Sequence, residues 1–107
     1  MGLDATVRAK HKETGLYIEL DNYNGRSAFG FLQDFMEARH AYGEYVEVDE
    51  TVANYLLEKG LESIKKSGYS PDDLAESNWG VIGFLKLISL RSFYDKLGYA
   101  LEVECDW

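Results

Sequence analysis

The order of hydrophobic patterns along the chain is its strongest constraint on the fold. Apolar and polar residues alternate in segments 16–20 and 99–105, as in half-buried strands, and residues 4–10 also read as a strand. The glycine-containing segment 11–15 joins the first two strands as a hairpin. In the middle of the chain, apolar residues recur at the spacing of helices. This order predicts an α+β fold, with a small antiparallel or mixed sheet packed against three to four helices.

The helical middle divides into separate segments. Ser27 is a predicted N-cap for a helix over 28–42, whose apolar stripe includes Tyr42. Asp49 or Thr51 caps a second helix that runs to about residue 67. Residues 71–77 form a short third helix behind a capping serine and a proline. Residues 79–97 form a last helix that is apolar on all sides, and we expect it to be nearly fully buried.

Three local features refine this outline. Residues 22–25 read as a turn after the second strand, and residues 44–48 as a short strand or extended connection. Gly80 and Gly83 allow another element to approach the last helix closely. The alternation in the final strand directs Leu101, Val103 and Cys105 inward and leaves Glu102 and Glu104 outward.

Composition limits the class of protein. A chain of 107 residues with 46% hydrophobic residues predicts a single domain over 1–107. Its 19 acidic and 11 basic residues give a formal net charge of −8, which repels phosphates and argues against direct nucleic-acid binding. Cys105 is the only cysteine, so we expect a reducing cytoplasmic location. The apolar segment after Trp79 is too short to span a bilayer, so no membrane insertion is expected.

No residue pattern points to catalysis or to a cofactor. Glu37 and His40 make one Glu-x-x-His motif, whereas di-iron bundles need two such motifs and further carboxylates. His11 has no nucleophile at a diagnostic spacing, and one cysteine with two histidines is too few for a typical zinc site. We therefore predict that the protein is not an enzyme and holds no cofactor or metal.

Acidic residues and tyrosines indicate a surface that binds a basic protein partner. Exposed aromatic side chains among carboxylates are typical of protein interfaces. For Asp49 and Glu50, stabilisation of a helix N-terminus is an equally simple explanation. The predicted partner-binding residues are Glu44, Tyr45, Glu47, Asp49, Glu50, Glu102 and Glu104.

Two alternatives remain open. Arg26 and Ser27 belong to the loop Asn24–Ser27 before a predicted helix N-terminus, where backbone amides can hold an anion or a nucleotide phosphate. A homo-oligomer is the other alternative, in which the apolar helix at 79–90 completes its burial against a second subunit.

The N-terminal Met1–Gly2–Leu3–Asp4 leads into a strand, and a polar loop then precedes a helix within Arg26–Met36. Gly43–Glu44–Tyr45 leads into the amphipathic helix at 50–67. This arrangement resembles small phage and prophage proteins that begin with the same four residues. The resemblance implies a phage-like origin and no particular chemistry. Together with the acidic surface, it suggests a protein that inhibits or modulates a host protein, such as a defence or nucleic-acid-binding protein, with DNA mimicry as one form.

Overall fold

The computed structural model describes residues 3–25, 29–66 and 79–107. These residues form an α+β fold, as predicted, in which one four-stranded antiparallel sheet packs against four helices. The elements in chain order are β1 (Leu3–His11), β2 (Tyr17–Gly25), α1 (Gly30–Ala38), β3 (Val46–Glu47), α2 (Glu50–Lys66), α3 (Trp79–Ser89), α4 (Arg91–Lys96) and β4 (Tyr99–Asp106).

The sheet has the strand order β2-β1-β4-β3, so β1 and β4 form its centre. Val7 lies opposite Val103 in this central pair. The inward residues predicted for β4, Leu101, Val103 and Cys105, are all fully buried. Because side chains alternate between the faces of a strand, the intervening residues of β1 and β4 lie on the opposite face. The sheet therefore has one face against the helices and one polar face.

The hydrophobic core lies between the inner sheet face and the helices. Aromatic rings fill its centre, with Phe29 and Phe84 in an edge-to-face arrangement at 5.5 Å between ring centroids. Burial of each such side chain contributes about 1.5–3 kcal/mol. The largest fully buried side chains of the helical layer are those of Phe29, Leu32, Phe35, Met36, Leu56, Val81, Phe84 and Ile88.

Strand β2 is longer than the sequence indicates, and the turn predicted at residues 22–25 is wrong. The pairing with β1 continues until Leu3 lies opposite Gly25. Tyr23 is buried against the core, and the Asn22 side-chain amide donates a hydrogen bond of 2.7 Å to the Thr6 hydroxyl. These cross-strand contacts outweigh the turn preference of the local sequence.

Helix α1 ends at Ala38, so the predicted extension to residue 42 is wrong. His40 adopts a φ of 52°, in the left-handed region, which stops the helix. The Ala41 backbone N–H then donates to the Met36 carbonyl at 3.0 Å. Tyr42 consequently leaves the predicted apolar stripe and is 53% exposed. The proposed Ser27 cap lies outside the described residues.

Helix α2 begins as predicted, with Asp49 as its cap. The Val52 backbone N–H donates to Asp49 Oδ1 at 2.8 Å. Helix α2 buries Val52, Ala53, Leu56 and Gly60, and Tyr55 is exposed, as expected.

The single helix predicted over 79–97 is instead two helices, α3 and α4, separated at Leu90. The Ser89 hydroxyl donates to the Lys86 carbonyl at 2.6 Å, which competes with continuation of the helical hydrogen bonds. Helix α3 buries one side, formed by Val81, Phe84, Leu85 and Ile88, rather than its whole surface. The predicted short helix at 71–77 lies outside the described residues.

The close approach expected at Gly80 and Gly83 is confirmed. A Cβ on Gly83 would lie 3.3 Å from Cε1 of Tyr23, and one on Gly80 would lie 3.6 Å from the Phe29 ring. Strand β2 can therefore pack directly against the glycine side of α3. No helix in the described parts of the chain is long and apolar enough to cross a membrane.

Candidate functional site

The polar side of the sheet is the candidate site, and we call it the outer sheet face. One row of paired residues crosses all four strands in the order Glu19, Arg8, Glu102 and Glu47. Residues paired directly across antiparallel strands point to the same face. This row therefore places Arg8 between Glu19 and Glu102, with Glu47 one strand further along, on the side opposite to the helices.

Arg8 is held by contacts from three directions. Its Nε donates to Glu102 Oε1 at 2.7 Å, and the two side chains are only 17% and 13% exposed. The guanidinium lies 4.2 Å from the ring centroid of Tyr17 and 3.5 Å from that of Tyr45. Cation–π contacts of this kind stabilise by about 0.5–2 kcal/mol each. Arg8 thus neutralises Glu102 and orients two tyrosine rings on the outer sheet face.

A line of carboxylates follows β4 on the same face. Glu102, Glu104 and Asp106 occupy alternate positions of the strand, so their Cα atoms are about 6.8 Å apart along it. Asp4 of β1 lies directly opposite Asp106. The outer sheet face therefore carries an ordered row of negative charge rather than scattered acids.

Burial and charge crowding alter the protonation of this face. Partial burial, followed by the nearby charge of Asp106, raises the pKa of Glu104, and Arg8 opposes the rise. Partial burial also raises the pKa of the Tyr45 hydroxyl, with the charge of Glu104 as the next cause. The raised pKa of Glu104 indicates that its negative charge is held at a cost in the free protein, and the raised pKa of Tyr45 keeps its hydroxyl uncharged. A cation from a partner would lower that cost.

The structure brings together four of the seven residues predicted to bind a partner. Tyr45, Glu47, Glu102 and Glu104 lie on the outer sheet face. Tyr45 is half-buried beside Arg8 rather than freely exposed.

The other three residues lie elsewhere. Glu44 is exposed in the connection before β3, Asp49 caps α2, and Glu50 lies in the first turn of α2. For Asp49 and Glu50, the helix N-terminus is a sufficient explanation of an acidic residue.

The sequence-based prediction missed Arg8, Tyr17, Glu19 and Asp4 as members of this face. Alternation within residues 4–10 was available as a signal, since it separates Arg8 from the apolar Ala5, Val7 and Ala9. The pairing of β1 with both β2 and β4 was needed to place Arg8 between two tyrosines.

The structure does not bring the other sequence-based candidate residues that it describes together into one site. Arg26 and Ser27 lie outside the described residues. His40 follows the end of α1, and Glu37 accepts a hydrogen bond of 3.3 Å from the Gln33 amide. Among residues 3–25, 29–66 and 79–107, no three histidine, cysteine or acidic side chains are grouped so that they could hold a metal ion.

Fold and site define an α+β protein whose sheet presents one ordered, acidic and tyrosine-containing face. Comparison with models of protein families, with curated proteins and with solved structures finds no match to this chain. The geometry and charge of the outer sheet face are therefore the features that bear on function.

Proposed function

We propose that the protein binds a host protein with a basic surface through its outer sheet face, and thereby inhibits or modulates that protein in the cytoplasm. The observation that carries this proposal is the regular line of Glu102, Glu104 and Asp106 along β4, flanked by tyrosines. Complementary charge accelerates association and selects against acidic partners. Tyr17 and Tyr45 add apolar contact area with little loss of conformational entropy.

A nucleic-acid-binding protein is the partner class that this face fits best. A nucleic-acid backbone presents regularly spaced negative charges, and a protein that binds it carries lysine and arginine at matching intervals. A line of carboxylates on a rigid strand offers those cations a similar pattern. This form of the proposal predicts that DNA and the protein compete for the partner, and that binding weakens steeply as salt increases.

Affinity purification from host extract tests the proposal, with two charge-reversed baits compared against the wild-type protein. The test variant is Glu47→Lys/Glu104→Lys, which reverses two charges of the outer sheet face. The control is Glu50→Lys/Glu58→Lys, which reverses two exposed charges on α2. Thermal unfolding of each bait establishes that it is folded before the binding is compared.

We expect a partner that is retained by the wild type and by the α2 variant, and that is lost from the sheet-face variant. The purified partner should bind the wild type with an affinity that falls with salt, and added duplex DNA should displace it. A partner that binds both variants equally well contradicts the proposal. Binding that is insensitive to DNA while depending on Glu47 and Glu104 contradicts the nucleic-acid-mimicry form alone.

A further inference from the structure

Strand β2 has one free edge. It lies at one end of the strand order, so β1 is its only strand neighbour in the described part of the chain. The strand at the opposite end of the sheet, β3, has only two residues, whereas β2 has nine. A free edge presents unpaired backbone N–H and C=O groups, and proteins commonly blunt it with a short strand, proline or charge. The sheet thus has one long edge that can accept a further strand.

The segment 16–20 is the regular part of this edge beside the hairpin. A register shift leaves Leu20 without a partner in β1, so a β-bulge ends the regular pairing there. Ile18 lies opposite the buried Ala9, on the inner face of the sheet, yet it is 57% exposed. Leu16, two residues earlier, is 72% exposed, and Leu20 packs at the margin of the core. Aliphatic side chains at this edge are therefore left largely uncovered in a single chain.

The backbone groups that point to the free edge are those of Tyr17 and Glu19. The His11 N–H donates to the Leu16 carbonyl at 2.7 Å, and Ile18 lies two residues further along the same ladder. Hydrogen-bonded and non-hydrogen-bonded pairs alternate in an antiparallel ladder, so the N–H and C=O of Ile18 point to β1. Those of Tyr17 and Glu19 point away from β1. The unpaired backbone groups are therefore arranged symmetrically about Ile18.

We propose that the free edge of β2 pairs with the same edge of a second copy of this chain, antiparallel and with Ile18 at the two-fold axis. In this register Tyr17 of one copy lies opposite Glu19 of the other, and each such pair exchanges two backbone hydrogen bonds. Leu16 of one copy lies opposite Leu20 of the other. The leucines and Ile18 of both copies then form one aliphatic ladder on the inner face. The symmetry of the segment about Ile18 makes it complementary to itself.

A cleft on the inner side of β2 accepts Leu16 of the second copy. The cleft has a volume of about 660 Å³ and lies between β2 and the helices α3 and α4, with Leu20, Leu87 and Leu90 in its lining. Because β2 forms one wall of the cleft, an inner-face side chain placed opposite Leu20 is directed toward it. Leu16, which is exposed in the single chain, exchanges water for contact with these leucines in the dimer.

Charge on the outer sheet face is compatible with this register. Lys10 lies opposite Tyr17, so Glu19 of the second copy continues a row that contains a cation. Each Glu19 also lies opposite Arg8 of its own chain. A pair centred on Glu19 instead would set two carboxylates directly opposite each other, which is destabilising. The net charge of −8 on each copy still opposes association, so the dimer should become stronger as salt increases.

The pairing joins two sheets into one continuous sheet. A two-fold axis perpendicular to a sheet keeps corresponding faces of the two copies on the same side. The dimer therefore presents two outer sheet faces next to each other, while its formation does not require a basic partner.

Sedimentation velocity of the purified protein tests the pairing. The concentration range is about 5 µM to about 500 µM, in which small interfaces associate. We expect a reversible dimer of twice the 12.2 kDa chain mass, which dissociates on dilution and is favoured by salt.

Matched variants locate the contact. Ile18→Lys sets two ammonium groups opposite each other at the axis and should weaken the dimer at least about tenfold. Leu61→Lys is the control, because Leu61 is 50% exposed on α2 and should leave the dimer unchanged. Thermal unfolding of each variant establishes that it is folded before its association is compared.

Hydrogen exchange of individual backbone amides, followed by NMR, identifies the edge without any substitution. The N–H groups of Tyr17 and Glu19 should exchange more slowly at concentrations at which the dimer dominates than in dilute protein. The N–H of Ile18, which already points to β1, should change much less.

Three results overturn the proposal. The first is a 12.2 kDa monomer throughout the concentration range. The second is a dimer that Ile18→Lys leaves as strong as that of the wild type. The third is a dimer in which exchange at Tyr17 and Glu19 does not slow, because such a dimer forms through another surface.

Discussion

Arg8 determines the chemistry of the outer sheet face because it is a cation placed among acids. Its ion pair with Glu102 is partly shielded from solvent by two tyrosine rings, with Arg8 17% exposed. An exposed pair contributes about 0–1 kcal/mol, whereas loss of one partner from a shielded pair leaves a charge without compensation. Arg8 therefore allows Glu47 and Glu102 to lie directly opposite each other, an arrangement that is otherwise repulsive.

Glu104 gives the outer sheet face a pH-dependent stability. Its raised pKa means that the folded state disfavours the charged carboxylate relative to the unfolded chain. Below the ordinary carboxyl pKa of 4.5, Glu104 is protonated in both states and does not destabilise the fold. This stability is lost as the pH rises through the raised pKa and the half-buried carboxyl must ionise. We expect Glu104→Gln to unfold at higher urea concentration than the wild type at neutral pH, and to lose this advantage below pH 4.5.

The control for Glu104→Gln is Glu44→Gln, which removes one exposed charge outside the strands. We expect Glu44→Gln, an exposed substitution, to leave the urea midpoint at neutral pH close to that of the wild type. An advantage of Glu104→Gln that persists at acid pH would instead indicate a packing effect. Because Glu104 belongs to the proposed interface, the same variant should bind the basic partner more weakly while being more stable.

The contact between α2 and α3 depends on Gly60. A Cβ at this position would lie 2.6 Å from Cδ2 of Leu85, whose side chain is buried. Overpacking costs about 1–3 kcal/mol, which exceeds the gain of about 1 kcal/mol from better helix propensity. We expect Gly60→Ala to lower the free energy of unfolding by about 1 kcal/mol in urea titrations.

Two further variants test the packing explanation for Gly60→Ala. Gly30→Ala in α1 adds a Cβ with no heavy atom within 4 Å, so it should not destabilise the protein. In the double variant Gly60→Ala/Leu85→Ala, the loss of unfolding free energy should be smaller than the sum of the losses in the two single variants. The reason is that the smaller side chain at residue 85 makes room for the new methyl group. Strict additivity would show that the two helices do not meet at this point.

The elements that could be predicted from sequence are those with a strong local signal. Alternation identified β4 and its buried Leu101, Val103 and Cys105, and Asp49 was a predicted cap for α2. The second half of β2 could not be recognised, because its pairing with β1 depends on residues distant from the local turn signals. The break at Leu90 was hidden by an apolar pattern that continues through both helices.

The candidate site was only partly predictable for a related reason. Tyr45, Glu47, Glu102 and Glu104 were identified from composition in two separate segments. Their grouping around Arg8 requires the strand order β2-β1-β4-β3, which no local pattern specifies. Acidic and aromatic candidates can thus be identified from the sequence, whereas the strand order and register of the sheet determine which of them share a face.

The reactivity of Cys105 reports whether the two central strands of the sheet are paired in the folded protein. Burial raises the pKa of its thiol to about 12, and the side chain is fully buried in the core. The reactive thiolate is therefore scarce and inaccessible in the folded protein. We expect Ellman's reagent to react slowly in native buffer and fully in urea, with a native rate that follows opening of β4.

Because the sequence has a single cysteine, the fully unfolded protein must release one equivalent of the reagent's coloured product, and this value calibrates the measurement. Glu104→Gln, which should be more stable at neutral pH, should also react more slowly there. Rapid reaction in native buffer would contradict the packing of β4 at the centre of the sheet.

The pairing of β1 with β4 determines when the outer sheet face forms during synthesis. Arg8 and Glu102 are 94 residues apart in the chain, and they are joined across the two central strands. The β1–β2 hairpin leaves the ribosome early, but β4 must be made before the central pair can close. Until then the hairpin presents one open edge of β1, and neither the carboxylate line of β4 nor the ion pair between Arg8 and Glu102 exists, although Arg8 and Tyr17 already belong to the same hairpin. A nascent chain should therefore acquire this surface only once β4 has been made, when α1 to α4 have already been translated.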